Sequence, residues 1–274
     1  LSLSEALIQE YEGDPFVHTT IAPHAPYTVN DAALKRCAEI SDKYGVPIHM
    51  HVNETAVEVS DSLRDHHERP IDRLERLGLL NERLIAVHSV HASDEDITKM
   101  AAAHASVCHC PCSNLKLASG FAPIAKFLKA GINLGIGTDG AASNDKLDML
   151  GETRLAAMLA KAVAQDPTAA PVFAMLEAAT LGGARALRWD ADIGSLEIGK
   201  AADLFAIDLG TPESLPVADP AAQILYSAGR ECITHTWVDG RLIMEKHARA
   251  AYPQTDALAA AALCAQKWQN RLKN

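Results

Sequence analysis

Short apolar runs alternate with longer stretches of helical spacing through the first half of the chain. Residues 16–22, 46–52, 84–88, 106–110 and 132–137 are apolar and of strand length. Between the first two, Ala33, Leu34, Cys37, Ala38 and Ile40 recur at the spacing of one helix face, predicting a helix over 31–44. Gly45 follows it as a left-handed C-cap. Further helices are predicted over 4–11, over 71–77 with Gly78 just beyond, and over 121–130 with Gly131 as the stop. Another opens at Ser93-Asp94-Glu95-Asp96, whose acids suit the positive end of a helix dipole. Five strands separated by helices predict a parallel sheet with right-handed crossovers.

After Thr138-Asp139-Gly140 the pattern changes. Residues 147–164 and 172–187 read as helices, and 194–208 as turns leading into a strand. Residues 233–238, an Asp239-Gly240 turn and residues 242–245 read as a hairpin, and 255–272 as a terminal helix. Two domains are therefore expected: 1–190, built of β/α units, and 191–274, a small β element with the terminal helix.

At 274 residues the chain is long enough for a sizeable core, in one large domain or two modest ones. Its net charge of −10 makes a nucleic-acid backbone an unsuitable partner. No apolar run reaches membrane-spanning length and no signal peptide opens the sequence, so a cytoplasmic setting is expected. The chain begins without methionine, inside a helical pattern, as the continuation of something longer would.

The chemistry-bearing residues fall at strand ends. His24, His51, His88 and Asp139 each lie at or just past the carboxyl end of a predicted strand, where β/α barrels build their active sites. His51 can ligate a metal, and Asp139 can ligate it or accept a proton. His88 can hydrogen-bond an attacking water, Glu54 can shuttle a proton, and His24 can orient a substrate. Plainer roles compete: Glu54 as a surface charge at a helix start, Asp139 as a turn residue, and most of the twelve histidines as structural groups. His49 shares a strand face with His51, so a paired His-x-His ligand set is a second possibility. Cys108-His109-Cys110-Pro111-Cys112 admits a closed zinc module, although three thiols in a row along a strand suit a tetrahedral site poorly.

Five ordered segments resemble the amidohydrolase superfamily, in the branch of S-adenosylhomocysteine/5-methylthioadenosine deaminases and atrazine chlorohydrolases. They are Ala22-Pro23-His24-Ala25-Pro26-Tyr27-Thr28, His49-Met50-His51-Val52-Asn53-Glu54-Thr55, Ala86-Val87-His88-Ser89-Val90-His91, residues 113–120 and residues 137–144. Residues 194–203 resemble the family's return to its small β-sandwich. The resemblance implies the later strands, about five of eight units, of a (β/α)8 metal-dependent hydrolase barrel, with part of a composite β-sandwich. It implies a deaminase of adenine nucleosides that releases ammonia through hydroxide generated on one divalent metal, zinc by preference, with iron or manganese as alternatives. His51 and Asp139 would hold that metal; Glu54, His88 and Asp139 would be catalytic; His24 and Glu54 would contact the nucleoside. His49 and His91 match no family ligand and take support roles.

The family's first-strand His-x-His pair has no room before His24, so a missing N-terminal half-barrel is an expected partner, and a homo-oligomer the expected assembly. The alternatives are another cyclic aminohydrolase or chlorohydrolase, acting on guanine or a triazine, or an inactive fragment lacking half its metal site.

Overall fold

The computed structural model describes residues 1–212, 214–245, 248 and 249, with five helical positions between 259 and 267. The terminal helix expected over 255–272 lies outside the described residues, those five positions apart. The chain divides into two compact units, Leu1–Ser195 and Leu196–Asn274. Among the described residues no helix is long and apolar enough to cross a membrane.

The first unit opens with helix α1 (Ser2–Glu10) and α2 (Asp31–Tyr44). Asn30 caps α2 by accepting the Ala33 amide, and Gly45 closes it in the left-handed region with φ 69°. Strand β1 (Ile48–Val52) follows. Helices α3 (Ala56–His66) and α4 (Pro70–Arg76) lead to β2 (Leu84–His88). Helix α5 (Asp94–Ala102) leads to β3 (Ser106–His109). Helices α6 (Pro111–Lys116) and α7 (Ile124–Lys129) lead to β4 (Asn133–Ile136). Three further helices, α8 (Met149–Ala164), α9 (Val172–Ala178) and α10 (Leu181–Ala186), complete the unit. The four strands form one parallel sheet in the order β1-β2-β3-β4. Sequential order with helical crossovers is the arrangement of consecutive β/α units.

Burial along the strands explains the sheet. In β1, Ile48, Met50 and Val52 are buried while His49 and His51 on the other face are half-buried. All of β2 is buried, as a central parallel strand covered on both faces must be. Helix α2 packs on β1, and α7 and α10 on β4.

The fifth strand expected over 16–22 is reduced to a single bridge, Ile21 beside Ile48. The Asp14 carboxylate accepts the Phe16 and Val17 amides at 2.7 and 3.0 Å, turning the chain where the strand should begin. Pro23 then removes a donor at the other end. The helix expected over 172–187 is two helices, broken at Ala179 and Thr180. Helices α3 and α6 were not expected. Thr55 caps the first, and Pro111 starts the second at its first position, where a missing N–H costs nothing.

The second unit holds an antiparallel sheet, β5 (Leu204–Ile207), β6 (Ile233–Val238), β7 (Arg241–Glu245) and β8 (Ala248–Arg249), in that order. Helix α11 (Pro220–Tyr226) and a short 3-10 turn at Arg230–Cys232 lie between β5 and β6. The Asp239-Gly240 turn has both φ values positive, 50° and 71°, the geometry that matches hairpin twist.

Two features of the first unit carry stability tests. Arg69 forks onto the Asp96 carboxylate, with Nη2–Oδ2 at 2.6 Å, and Asp96 is 1% exposed. The same carboxylate accepts the Ser93 amide and the Asn53 side-chain amide. Arg69→Met is expected to cost about 3 kcal/mol in urea unfolding, because it strands a buried charge. Gly182 sits where α10 crosses β4, and a Cβ there would collide with the Leu134 carbonyl oxygen, whereas one on Gly183 meets nothing. Gly182→Ala should therefore lower stability by about 1–3 kcal/mol. Gly183→Ala should be neutral, or gain up to about 1 kcal/mol from helix propensity.

Candidate active site

The inward face of β1 delivers His49 and His51. Beyond the strand, Asn53 takes a left-handed conformation with φ 53°. The buried Glu58 carboxylate holds that turn by accepting the Asn53 and Glu54 amides at 2.8 and 2.7 Å. Burial pushes the Glu58 carboxyl up, and those two amides oppose the shift. His88 at the end of β2 and Asp139 past β4 also carry positive φ, 72° and 60°. Three strand ends are thus bent into a costly region for residues with a side chain, a pattern concentrated at functional sites.

The histidine tautomers follow from their partners. His51 Nδ1 donates to the His24 carbonyl oxygen at 2.7 Å, which leaves the lone pair of the neutral ring on Nε2. His88 Nδ1 donates to Asn114 Oδ1 at 2.7 Å, with the same consequence. Thr28 spends its hydroxyl proton on the Ala25 carbonyl, so it accepts from His24 Nδ1 at 3.0 Å. The His24–His51 and His51–His88 ring centroids are 4.9 and 5.3 Å apart. His88 Nε2 faces Glu54 Oε2 and Asp139 Oδ2, each at 3.8 Å, beyond direct hydrogen-bond distance.

Burial pushes the Asp139 carboxyl up. Hydrogen bonds from the Ser113 hydroxyl, the Gly140 amide and the Ser143 hydroxyl outweigh that, with help from His88, and hold it below the usual carboxylate range. The Ser113 bond is 2.5 Å and the Ser143 bond 3.0 Å. Hydrogen-bonding dipoles are thus the main hold on the Asp139 carboxylate.

His24, His49, His51, Cys108, Cys110 and Asp139 are among the residues lining a cavity of about 490 Å³. Through the His88 contacts with Glu54 and Asp139 and the His24–His51–His88 ring contacts, the structure gathers His24, His51, Glu54, His88 and Asp139. His91 stands behind them, donating from Nε2 to the Ser119 carbonyl at 2.8 Å. The three clustered thiols are not equivalent. Cys108 and Cys110 line the cavity, while the chain turns into α6 at Pro111 and carries Cys112 away, its amide donating to Glu152. A closed module of these cysteines is therefore not formed, and among the described residues no three His, Cys, Asp or Glu side chains are arranged to hold a metal. His109 is buried with no protein partner on either ring nitrogen, and burial pushes its pKa down to about 3, so it stays neutral.

Ser113, Asn114, Ser119, Ser143 and Glu58 all touch the site, yet single-residue reasoning gave them no role. The available signal was polar residues at 113, 114 and 119 packed into one short stretch after an apolar strand.

Consecutive parallel β/α units with acid–base side chains at their carboxyl ends define an enzyme scaffold of the barrel class. Residues 2–243 match the model of the Amidohydrolase family, and the chain belongs to that family. The chain is 41% identical over 245 residues to the 5-methylthioadenosine/S-adenosylhomocysteine deaminase of Syntrophobacter fumaroxidans, covering 89% of this chain and 56% of that protein. A zinc-bound adenosine deaminase from Xanthomonas campestris superposes with TM-score 0.95 at 46% identity, covering 99% of this chain and 61% of that one. The zinc complex of an atrazine chlorohydrolase from Arthrobacter aurescens gives TM-score 0.85 at 26% identity, covering 95% of this chain and 60% of that one. The fold is thus that of part of the amidohydrolase barrel, and the chain spans a little over half the length of these relatives.

Asn114→Ala removes the acceptor of a buried His88 N–H. A loss of about 1–3 kcal/mol in thermal unfolding is expected, with Asn114→Asp retaining most of the stability because it keeps an acceptor.

Proposed function

We propose that the protein acts as a hydrolytic deaminase of adenine nucleosides of the 5-methylthioadenosine and S-adenosylhomocysteine kind. The observation that carries this reading is His88 Nε2, equidistant at 3.8 Å from Glu54 and Asp139. One imidazole between two carboxylates is equipment for placing a water and moving its protons. The names borne by the relatives supply the substrate class.

A divalent metal, zinc by analogy with the solved relatives, fits the donors present. His51 offers Nε2 while Nδ1 is fixed on a carbonyl, the outer hydrogen bond that ligating histidines use. Asp139 offers an ionised carboxylate. Two donors are fewer than the three or more that a catalytic site takes, so the portion of the relatives that this chain does not span would supply the rest. When bound, such a metal lowers the pKa of a coordinated water to about 7.

The chain's own residues account for the remaining chemistry. His88 and Asp139 orient the water and take its proton as the oxygen bonds to C6 of the adenine ring. Glu54 protonates a ring nitrogen from Oε2, relieving the charge that addition drives into the ring. The proton on Asp139 then passes to the exocyclic amine, the C6–N bond breaks and ammonia leaves, while the hydroxyl proton remaining at C6 returns to Glu54, giving an inosine-type product and restoring both acids. His24, whose ring meets that of Tyr27 edge-on at 5.9 Å, contacts the nucleoside at the mouth.

The two-donor set also favours a second reading for the chain taken alone, an inactive part of a larger barrel. Metal analysis separates the two readings, since stoichiometric zinc with turnover in this polypeptide alone would sink the second.

The complete polypeptide that carries this chain should release ammonia from 5-methylthioadenosine or S-adenosylhomocysteine, lose that activity to a chelator and regain it with zinc. Glu54→Gln should lower kcat by about 10²–10⁴-fold. Zinc-loaded protein that leaves both nucleosides intact but turns over guanine or a triazine would transfer the assignment to those substrates.

A further inference from the structure

The two oxygens of Glu54 are held in different ways. Oε1 accepts the Ser119 hydroxyl proton at 3.1 Å, while Oε2 faces His88. A serine hydroxyl has one proton to give, and here it goes to Glu54. Ser119 is 6% exposed and lies just past α6, on a different loop from Glu54. Its backbone is pinned at both ends. The amide donates to the Asn114 carbonyl at 2.8 Å and the carbonyl accepts from His91 Nε2 at 2.8 Å. His91 in turn donates its amide to the Asn53 carbonyl at 2.9 Å, and its own carbonyl accepts Arg69 Nη2 at 2.9 Å. Asn53 is the neighbour of Glu54. The hydroxyl and the carboxylate it grips are therefore tied to each other through backbone on both sides.

We propose that Ser119 is the positioning residue of Glu54, anchoring Oε1 so that Oε2 alone handles the proton passed to the substrate ring. This rests on the deaminase reading of Glu54. The grip does two things. It fixes the side-chain torsions of a flexible carboxyl group, and it leaves Oε2, 3.8 Å from His88 Nε2, as the oxygen that Ser119 does not hold. Loss of such orientation slows the chemical step without removing any group that binds the nucleoside, and a misplacement of about 1 Å is worth roughly a hundredfold in rate.

The test is a double-mutant cycle in the complete enzyme. Ser119→Ala should lower kcat by about tenfold to a hundredfold with KM within about twofold. Ser119→Thr, which keeps the hydroxyl, should recover most of the rate. In a Glu54→Gln background the same Ser119→Ala change should alter kcat by less than about twofold, since the residue acts through that carboxylate. Equal losses in both backgrounds, or a Ser119→Ala enzyme with wild-type kcat, would overturn the proposal. Should Ser119→Ala fold poorly, Ser119→Cys, a near-isostere with a weak donor, should show the same split. A crystal structure of either variant reads the grip without turnover. Glu54 turned from its wild-type rotamer supports the proposal, and an unmoved carboxylate refutes it. Wild-type enzyme that releases no ammonia sinks the deaminase reading alone, and the crystallographic comparison still decides the role of Ser119.

Discussion

Parallel register is the constraint on which the site depends. His51 lies opposite Val87, Val52 opposite His88, and Cys108 opposite both Val87 and Gly135. Because side chains alternate along a strand, that register commits Ile48, Met50 and Val52 to the core and His49 and His51 to the cavity. A slip of one residue in β1 would bury His51 and expose Met50, removing a metal-capable nitrogen and an apolar contact together. The buried Arg69–Asp96 pair backs this arrangement where the chain leaves β1, through its bonds to Asn53, Ser93 and His91.

Around the inward-facing groups stands a ring of short polar side chains, most of them contributed by α6 and the turn after it. Ser113 donates to Asp139, Asn114 accepts from His88, and Ser119 donates to Glu54. One stretch of seven positions therefore reaches the three groups that would move protons, although those groups sit at the ends of three different strands. Each contact also does electrostatic work. Donors to Asp139 keep it ionised, and an acceptor at His88 Nδ1 keeps the Nε2 lone pair toward the two carboxylates. Rotamers locked by second contacts are what separate a site with the right residues from one with the right geometry.

Backbone strain completes the arrangement. Asn53, His88, Ser89 and Asp139 all occupy the left-handed region, which costs a residue with a Cβ about 1 kcal/mol or more. At Asn53 and Asp139 the conformation persists because hydrogen bonds hold it: Glu58 on the Asn53 and Glu54 amides, and Ser113, Ser143 and the Gly140 amide on the Asp139 carboxylate.

Periodicity and punctuation made much of this legible from sequence. Helix α2 with its Gly45 cap, the four strands of the sheet, the Asp239-Gly240 hairpin and the gathering of His24, His51, Glu54, His88 and Asp139 all follow from apolar spacing, turn residues and strand-end position. Each is a local signal, carried by residues a few positions apart. Where competition was settled by local side-chain hydrogen bonds, the pattern misled. Residues 16–22 are apolar enough for a strand, but Asp14 captures the amides that would have started it. The roles of Ser113, Asn114, Ser119 and Glu58 were decided only in three dimensions, because a hydroxyl or an amide acquires its function from whatever lies within about 3 Å of it. Ser119 and Glu54 are 65 positions apart in the chain, and no spacing rule connects them. The sequence by itself determined which side chains could do the chemistry, and the packing of α6 against the strand ends decided which atoms of those side chains are free to do it.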